Sequence, residues 1–570
     1  MAPESSDKKY PWLATYPTGI SWHATLPQYP LWEILDRAAA RHPKRCCVDF
    51  LDRCFSYEEI ARLVDSAAAG LQQIGVGKGT RVGLLLPNTP YSVIFYFAIL
   101  KAGGTVVNLN PLYAEAELEN LIKDSGMTIA ITLDLKLTYD KIAKMLGKTN
   151  LQKLVVCSLA DALPWHKGLA FRLIKARDIA SIPRNEQHIT YDRIIHNDGE
   201  AKVVEIDPAE DIAVLQYTGG TTGTPKGAML THANLVANVM QSRHWFSGAR
   251  EGEETILGVL PFFHVFAMTV AMNLGVLIGA TIVMVPRFEL KQLVELIHRK
   301  RPTLFPAVPT LYAAIANYRR LTDYDISSVE YCISGGAGLP VEVKRGFEAV
   351  TGCVVAEGYG LSESSPVATC NPLMGMNKIG SIGLPLPRTV IEIVSMEDGT
   401  TVLGTGQRGE ICIRGPQVMK GYWNNKKETD DILRPTGEGD FRLHTGDAGV
   451  MDEDGYIFVV DRIKDMFLCG GYNVYPRIVE EAIMKHPDVF ECIVVGLPDA
   501  YRGQTVKAYI VLKDKISFTR DELATFLADK LSPIEIPKMI EFRDTLPKTM
   551  IGKLSRKMLL DEEAAKAKKA

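Results

Sequence analysis

Short apolar runs alternate with stretches of helical period through the first two thirds of the chain. Arg81–Leu86 reads as a strand, Pro90–Leu100 as a helix and Thr105–Leu109 as the next strand. Ile129–Leu133, Lys153–Cys157, Ile212–Tyr217 and Tyr331–Ser334 repeat the theme. That rhythm belongs to βαβ units around mostly parallel sheets. It occurs twice, which predicts two stacked α/β halves. From about Lys378 the pattern turns to short strands and turns, with Asp398-Gly399 as a hairpin signal, and predicts a small β-barrel-like subdomain. From Asp461 a compact α+β pattern begins. It reads as helix Arg477–Lys485, strands Phe490–Val495 and Val506–Leu512, and helix Arg520–Leu531. The fold class is therefore α/β, with a small α+β unit at the C-terminal end.

One run needs separate treatment. Thr255 to Pro286 is 32 residues without Asp, Glu, Lys or Arg, long enough to span a bilayer. Pro261, His264, Asn273 and three glycines interrupt it. It parses better as strand (Thr255–Leu260), turn, buried helix (about Phe266–Ile278) and strand (Thr281–Val285), elements that are apolar all round in a large α/β core.

Composition narrows the class. The chain of 570 residues is 46% hydrophobic and 23% charged, as in globular proteins, and its net charge of −3 gives no electrostatic footprint for nucleic acid. Ten cysteines show no C-x-x-C spacing, and the expectation is reduced cytosolic thiols. The first residues lack the apolar core of a secretory signal, and the segment up to about Pro30 reads as an extended wrap around the body. The expected location is cytoplasmic, with peripheral contact at the inner face of the cell membrane left open.

The chemistry is concentrated in YTGGTTGTPKGAML, Tyr217 to Leu230. Glycines let backbone N–H groups crowd round an anion, threonine hydroxyls add donors and Lys226 adds a charge. A polyphosphate suits such a loop. It is not the Walker loop, because Pro225 precedes Lys226 and Gly227 follows it.

This loop resembles the signature of the adenylate-forming enzymes: acyl-CoA synthetases, adenylation domains and luciferases. Four further motifs follow in that family's order: GYGLSE at Gly358–Glu363, HTGD at His444–Asp447, DRIKDMFLCGGYNVYP at Asp461–Pro476 and PKTMIGKLSR at Pro547–Arg556. The resemblance implies an N-terminal domain over residues 1–460, with its β-rich part at about 378–460. It also implies a hinge at 461–465 and a mobile C-terminal lid over 466–570.

The resemblance assigns roles residue by residue. Thr218, Gly219, Gly220, Thr221, Thr222, Gly223 and Lys226 hold ATP phosphates, and Glu363, with Thr218, holds Mg²⁺. A carboxylate beside phosphates calls for a cation between them, which points the same way; taken alone, Glu363 also reads as a surface carboxylate. Tyr359 offers a flat face to adenine, beside Gly360 and Ser362, with Gly336 and Ala337 of Ser334–Gly338 as the opposite wall. Ser362 stands where many relatives have Thr. Asp447 and Arg462 reach the ribose, although Asp447 taken alone reads more readily as a turn residue. Lys553 neutralises charge between the substrate carboxylate and the α-phosphate. Lys464 is the hinge, and Gly470 and Gly471 let the pantetheine arm of CoA pass, or else form a simple turn. His264 is a gate between nucleotide and acyl group or a core histidine, and Phe263, Phe266 and Met268 line the tunnel entrance.

Several details resemble bacterial-type long-chain fatty-acid–CoA ligases: YTGGTTG, VVNLNPLY at Val106–Tyr113, GSIGLPLP at Gly380–Pro387, GPQVMKGYW at Gly415–Trp423 and NVYP at Asn473–Pro476. The common Gly-Trp before LHTGD is replaced by Gly439-Asp440-Phe441-Arg442. The implied substrates are a fatty acid, ATP and CoA. An aryl or medium-chain acid ligase of the same fold, and a non-catalytic binding protein derived from one, stay open, as does a homodimer. A stretch mixing basic and apolar residues, Trp165 to Arg184, suits an anionic membrane surface or an ordinary surface helix.

Overall fold

A computed structural model describes residues 10–218, 225–437, 439–499, 502–513, 518–549 and 554–567. Two large sheets carry most of the chain. The first has seven strands, in the order His188–Thr190, Lys153–Cys157, Ile129–Leu133, Arg81–Leu85, Thr105–Asn108, Ile212–Thr218 and Lys226–Thr231. All its pairings are parallel except the last, which is antiparallel. The second has nine strands. Cys46–Phe50, Thr281–Met284, Thr255–Gly258, Leu304–Ala307, Tyr331–Ser334 and Val354–Gly360 run parallel through its centre. The short antiparallel strands Arg53–Ser56, Val367–Cys370 and Leu384–Pro385 close its edges.

The central strands are apolar without alternation because helices cover both their faces. Helices Tyr57–Gln73 and Pro90–Lys101 pack on one another and share one continuous core with residues of both sheets. Pro90 through Leu100 are all buried, so this helix has no polar stripe. The 32-residue uncharged run folds as the strand–turn–helix–strand parse predicts. Its helix is continuous from Val265 to Leu277, with π-helical turns over Met268–Asn273. No helix among the described residues is long and apolar enough to cross a membrane.

The β-rich part is an antiparallel sheet of Val390–Val394, Arg408–Arg414, Phe441–Met451, Leu433–Pro435 and Ile457–Arg462. The segment from Tyr10 runs over it and over the neighbouring edge of the second sheet. Trp12 is buried, Thr15 Oγ1 donates to Asp454 O (2.6 Å), Tyr16 Oη to Pro385 O (2.9 Å), and Arg388 N–H to Trp22 O (3.0 Å). A Cβ on Gly455 would lie 2.4 Å from the Trp12 nitrogen, so this contact requires glycine.

The C-terminal unit has its own sheet of Phe467–Cys469, Tyr472–Val474, Gly503–Leu512, Val489–Asp499 and Met539–Phe542, and its own buried clusters. Helices Pro476–Met484, Arg520–Leu527 and Arg556–Ala567 belong to it.

The expectation of ten reduced thiols fails at one pair. Cys46 and Cys54 are joined by a disulfide across the hairpin of the second sheet's edge, where antiparallel pairing brings residues 8 apart in sequence within bridging distance. The other eight cysteines are free and buried.

Candidate active site

The glycine- and threonine-rich segment is flanked by two antiparallel strands, Ile212–Thr218 and Lys226–Thr231. Thr218 ends the outgoing strand and pairs in register with Lys226, which begins the return strand. The return strand runs straight into helix His232–Trp245, whose capping box pairs Thr231 with Asn234. Gly219, Gly220, Thr221, Thr222 and Gly223 lie outside the described residues.

A strap from the β-rich part lies along the return strand. Met229 N–H donates to Gly421 O (2.9 Å), Lys420 N–H to Met229 O (2.9 Å) and Trp423 N–H to Gly227 O (2.8 Å). The same strap ties in the motif that ends at Glu363, through Met419 N–H to Glu363 O (2.9 Å). Its side chains engage both charged residues of interest. Tyr422 Oη donates to Glu363 Oε1 at 2.6 Å, and the Lys226 ammonium pairs with Glu428 and sits 5.4 Å from the Tyr422 ring centroid. Glu428 is on helix Lys426–Ile432, whose N-cap Asn425 accepts from its amide. The Lys226 hydrogen bond, with Lys464 adding its charge, holds the Glu428 carboxyl below its ordinary value.

The GYGLSE segment passes from strand Val354–Gly360 into the short turn Ser362–Ser364. A Cβ on Gly360 would fall 1.7 Å from Pro366 O, so no other residue fits there. Tyr359 Oη donates to Asp447 Oδ2 at 2.6 Å, and Arg462 Nε lies 3.3 Å from Asp447 Oδ1. Asp447 and Arg462 are register partners on neighbouring strands. Burial raises the Tyr359 phenol, and the Asp447 charge raises it further. Burial works against the Arg462 cation, but Asp447 and Asp465 outweigh it and leave the pKa raised. Three residues that the sequence offers for adenosine are thus joined.

Glu410 braces the HTGD segment of strand Phe441–Met451. It accepts from Gly446 N–H (2.9 Å) and meets His444 Nδ1 at 2.7 Å, while Asp447 N–H bonds Thr445 Oγ1 (3.1 Å). Sequence reasoning missed Glu410; an acid set between apolar strand residues in RGEICIRG is its signal.

The glycine-rich wall Ser334–Gly338 is approached from two sides. A Cβ on Gly335 would lie 3.1 Å from the Phe266 ring, and one on Gly338 would lie 2.6 Å from the Arg477 guanidinium of the C-terminal unit. Gly336, with φ +80°, and Ala337 lie between them. Beneath the wall, buried Glu357 accepts from Leu339 N–H (3.1 Å). Burial pushes its carboxyl up to about 7, partly opposed by Arg477. Arg477 also pairs with Glu481 at 2.9 Å.

Phe266 and Met268 are buried, and Phe263 lines a small cavity with Leu84, Leu86, Tyr96, Phe262 and Met272 and the polar Ser92 and Asn108, none of them charged. Asn108 Nδ2 donates to Gln216 Oε1 (3.0 Å), and Gln216 Nε2 donates to Phe263 O (3.0 Å), linking this region to the strand that feeds the loop. His264 caps the following helix by accepting from Phe266 N–H (3.3 Å).

Lys464 is exposed in the turn after Arg462, and Ile463 N–H bonds Gly446 O (2.9 Å). Gly470 and Gly471 form a left-handed turn, φ +60° and +84°, with no atom within 4 Å of a built Cβ. No side chain of Lys226, Glu363 or Asp447 therefore touches this turn. Lys553 lies outside the described residues; Lys548 and Leu554, on either side of it, are bridged.

Comparisons with known proteins agree over most of the chain. The family model described as AMP-binding enzyme matches residues 35–423, and that of the AMP-binding enzyme C-terminal domain matches 478–553. The chain is 43% identical over 564 residues to a long-chain-fatty-acid–CoA ligase of Bacillus subtilis (strain 168), covering 97% of this chain and 98% of that one. It is 36% identical over 567 residues to the Escherichia coli O157:H7 protein of the same name, with the same coverage. Among solved structures, ATP-bound MatB from Rhodopseudomonas palustris superposes with a TM-score of 0.82 at 27% identity, covering 94% of this chain and 99% of that chain. The motifs, the fold around them and these matches agree, and the chain belongs to the AMP-binding enzymes, the adenylate-forming family.

Proposed function

We propose that the chain is an ATP-dependent fatty-acid–CoA ligase acting on long-chain acids. The observation that carries this reading is the joining of Tyr359, Asp447 and Arg462 beside a strap that also holds Lys226 and Glu363. A small cavity at Phe263, lined mainly by apolar side chains and by no charged residue, supports an acyl chain as the tail of the acid. The substrate class named for the relatives from Bacillus subtilis and Escherichia coli supports the choice of acid.

In the first half-reaction the carboxylate oxygen attacks the α-phosphorus of ATP, giving acyl-AMP and pyrophosphate. In the second, the CoA thiol attacks the acyl carbon and AMP leaves. Thr218, Lys226 and the loop between them bind the phosphates, and Tyr359, Asp447 and Arg462 orient the adenosine. Lys553 neutralises the charge gathering at the reacting centre. Glu363 suits Mg²⁺: it is a hard carboxylate donor, and the only hydrogen-bond partner of that carboxylate among the described residues is Tyr422 on Oε1. The ion would supply charge neutralisation to the phosphates there. Residues 461–465 act as the hinge between domains 1–460 and 466–570, and its rotation brings Gly470 and Gly471 to the CoA path.

Contact with an anionic membrane surface is the finer part of the reading. On helix Trp165–Ile174, Phe171 packs towards the core, while Trp165, Leu169, Leu173 and Ile174 stand 82%, 56%, 73% and 78% exposed. Trp165, Leu169 and Leu173 follow one another at one-turn intervals, so they form a ridge facing water. Arg172, Lys175 and exposed Arg177 flank it, the first two paired with Asp161 and Asp178.

Pyrophosphate release measured across aryl, medium-chain and long-chain acids tests the function. Turnover rising with chain length is expected. Preference for an aryl or medium-chain acid would move the substrate class, and absence of release with every acid would favour a non-catalytic binding protein.

A further inference from the structure

The Lys226–Glu428 pair raises a question that the ligase reading does not answer. Lys226 is 13% exposed and its partner 34%, so the pair is half-withdrawn from water. Glu428 is not at the lysine by accident of surface crowding. Its helix is capped by Asn425, its neighbour Thr429 donates to Asn425 O (2.9 Å) and accepts from Tyr422 N–H (2.9 Å), and Gly421 takes φ +139° where the strap turns. These contacts fix the helix relative to the return strand that carries Lys226. A carboxylate so placed competes directly with a phosphate for the same ammonium. The same strap also occupies Glu363 through Tyr422, so both charged groups assigned to the polyphosphate and its cation have internal partners.

We propose that Glu428 is a positioning residue that holds Lys226 between turnovers and gives it up to the incoming polyphosphate, so that it sets the affinity for ATP and hastens loss of pyrophosphate. This rests on the reading of Lys226 as a phosphate ligand. Binding of the polyphosphate exchanges one anion for another at the ammonium, and the released carboxylate remains close to the anion that displaced it. Both effects oppose retention of polyphosphate. When pyrophosphate departs, Glu428 recaptures Lys226. The charges of Lys464 and Lys427 also bear on Glu428, so the carboxylate keeps cationic surroundings while Lys226 is engaged elsewhere.

The test is titration of ATP, and separately of inorganic pyrophosphate, into the full chain by calorimetry, beside the steady-state KM for ATP and single-turnover adenylation. Glu428→Gln keeps the shape and removes the charge. It should bind both ligands roughly three- to fivefold more tightly, the range open to a partly exposed ion pair, and pyrophosphate should become a correspondingly stronger product inhibitor. Single-turnover adenylation should keep its rate. Glu428→Asp, with the charge drawn back by one methylene, should shift both affinities in the same direction by less, and it serves if the glutamine variant fails to fold. Damage to the strap would weaken binding, so tighter binding is not the signature of a merely structural residue. Unchanged or weaker affinity in a folded variant overturns the proposal. Lys226→Ala separates the two levels: if it leaves ATP affinity intact, the phosphate-ligand reading itself fails; if it weakens ATP while Glu428→Gln is neutral, only the role of Glu428 fails.

Discussion

Replacing Glu357 with glutamine changes one charge beneath the glycine wall and leaves the surrounding shape alone. The carboxyl is buried, and burial raises it from 4.5 to about 7. Between those values the folded chain keeps a proton that the unfolded chain releases. Stability therefore falls as pH rises from about 4.5 to about 7 and is level above that. At about 1.4 kcal/mol per pH unit, the ionised group costs about 3 kcal/mol at pH 8 and less than about 1 kcal/mol at pH 5. Glutamine removes that cost and still accepts from Leu339 N–H, while Arg477 retains Glu481. In thermal scans at fixed rate, Glu357→Gln should gain roughly 3 °C over the parent at pH 8, at about 1 °C per kcal/mol for a chain of this size. At pH 5 the two melting points should nearly coincide. An equal gain at both pH values, or a loss at pH 8, would refute the assignment of a raised pKa to this side chain.

The two half-reactions should separate genetically. Lys553→Ala should abolish acyl-adenylate formation yet largely spare thioester formation from supplied acyl-AMP; equal loss of both in quenched-flow assays would count against its role. Gly471→Leu should spare adenylation and block CoA transfer, at a strain of about 1–2 kcal/mol from its left-handed φ of +84°; CoA transfer at the parent's rate would place the pantetheine elsewhere. On anionic vesicles, flotation should be weak, salt-sensitive and reduced when Arg172, Lys175 and Arg177 become Gln or when Trp165, Leu169 and Leu173 become Ser. Flotation indifferent to salt and to both sets of changes removes this helix from membrane contact.

Much of the fold is written in local pattern. Ile129–Leu133, Lys153–Cys157 and Tyr331–Ser334 form strands over the same residues that their apolar runs predict, because fully buried parallel strands need no alternation. The return strand Lys226–Thr231 was obscured by its neighbours: KGAMLT has weak strand propensity and takes its pairing from Ile212–Thr218 and the strap. The triad of Tyr359, Asp447 and Arg462 was readable from motifs, each with its own turn or strand. Tyr422, Glu428 and Glu410 were not readable as partners, since they meet Glu363, Lys226 and His444 only after distant segments pair. Nor does any local signal announce that Arg477 of the C-terminal unit reaches Gly338, because that contact exists only in the assembled chain.

The wrap of Trp12 around Gly455 sets an order of events during synthesis. Thr15 and Asp454 are separated by 439 residues, so the first described turn of the chain leaves the ribosome long before its partner exists. Until then Trp12 has no site, and the surface it will cover on the β-rich part is unmade. The two α/β sheets can collapse while translation continues, since their parallel strands draw on residues from Cys46 to Gly360 and their closing edge strands come soon after, by Pro385. The final seal must wait for residue 455. A chain stalled or clipped before that point carries an exposed tryptophan and an unsealed sheet, a species for chaperones and proteases to recognise.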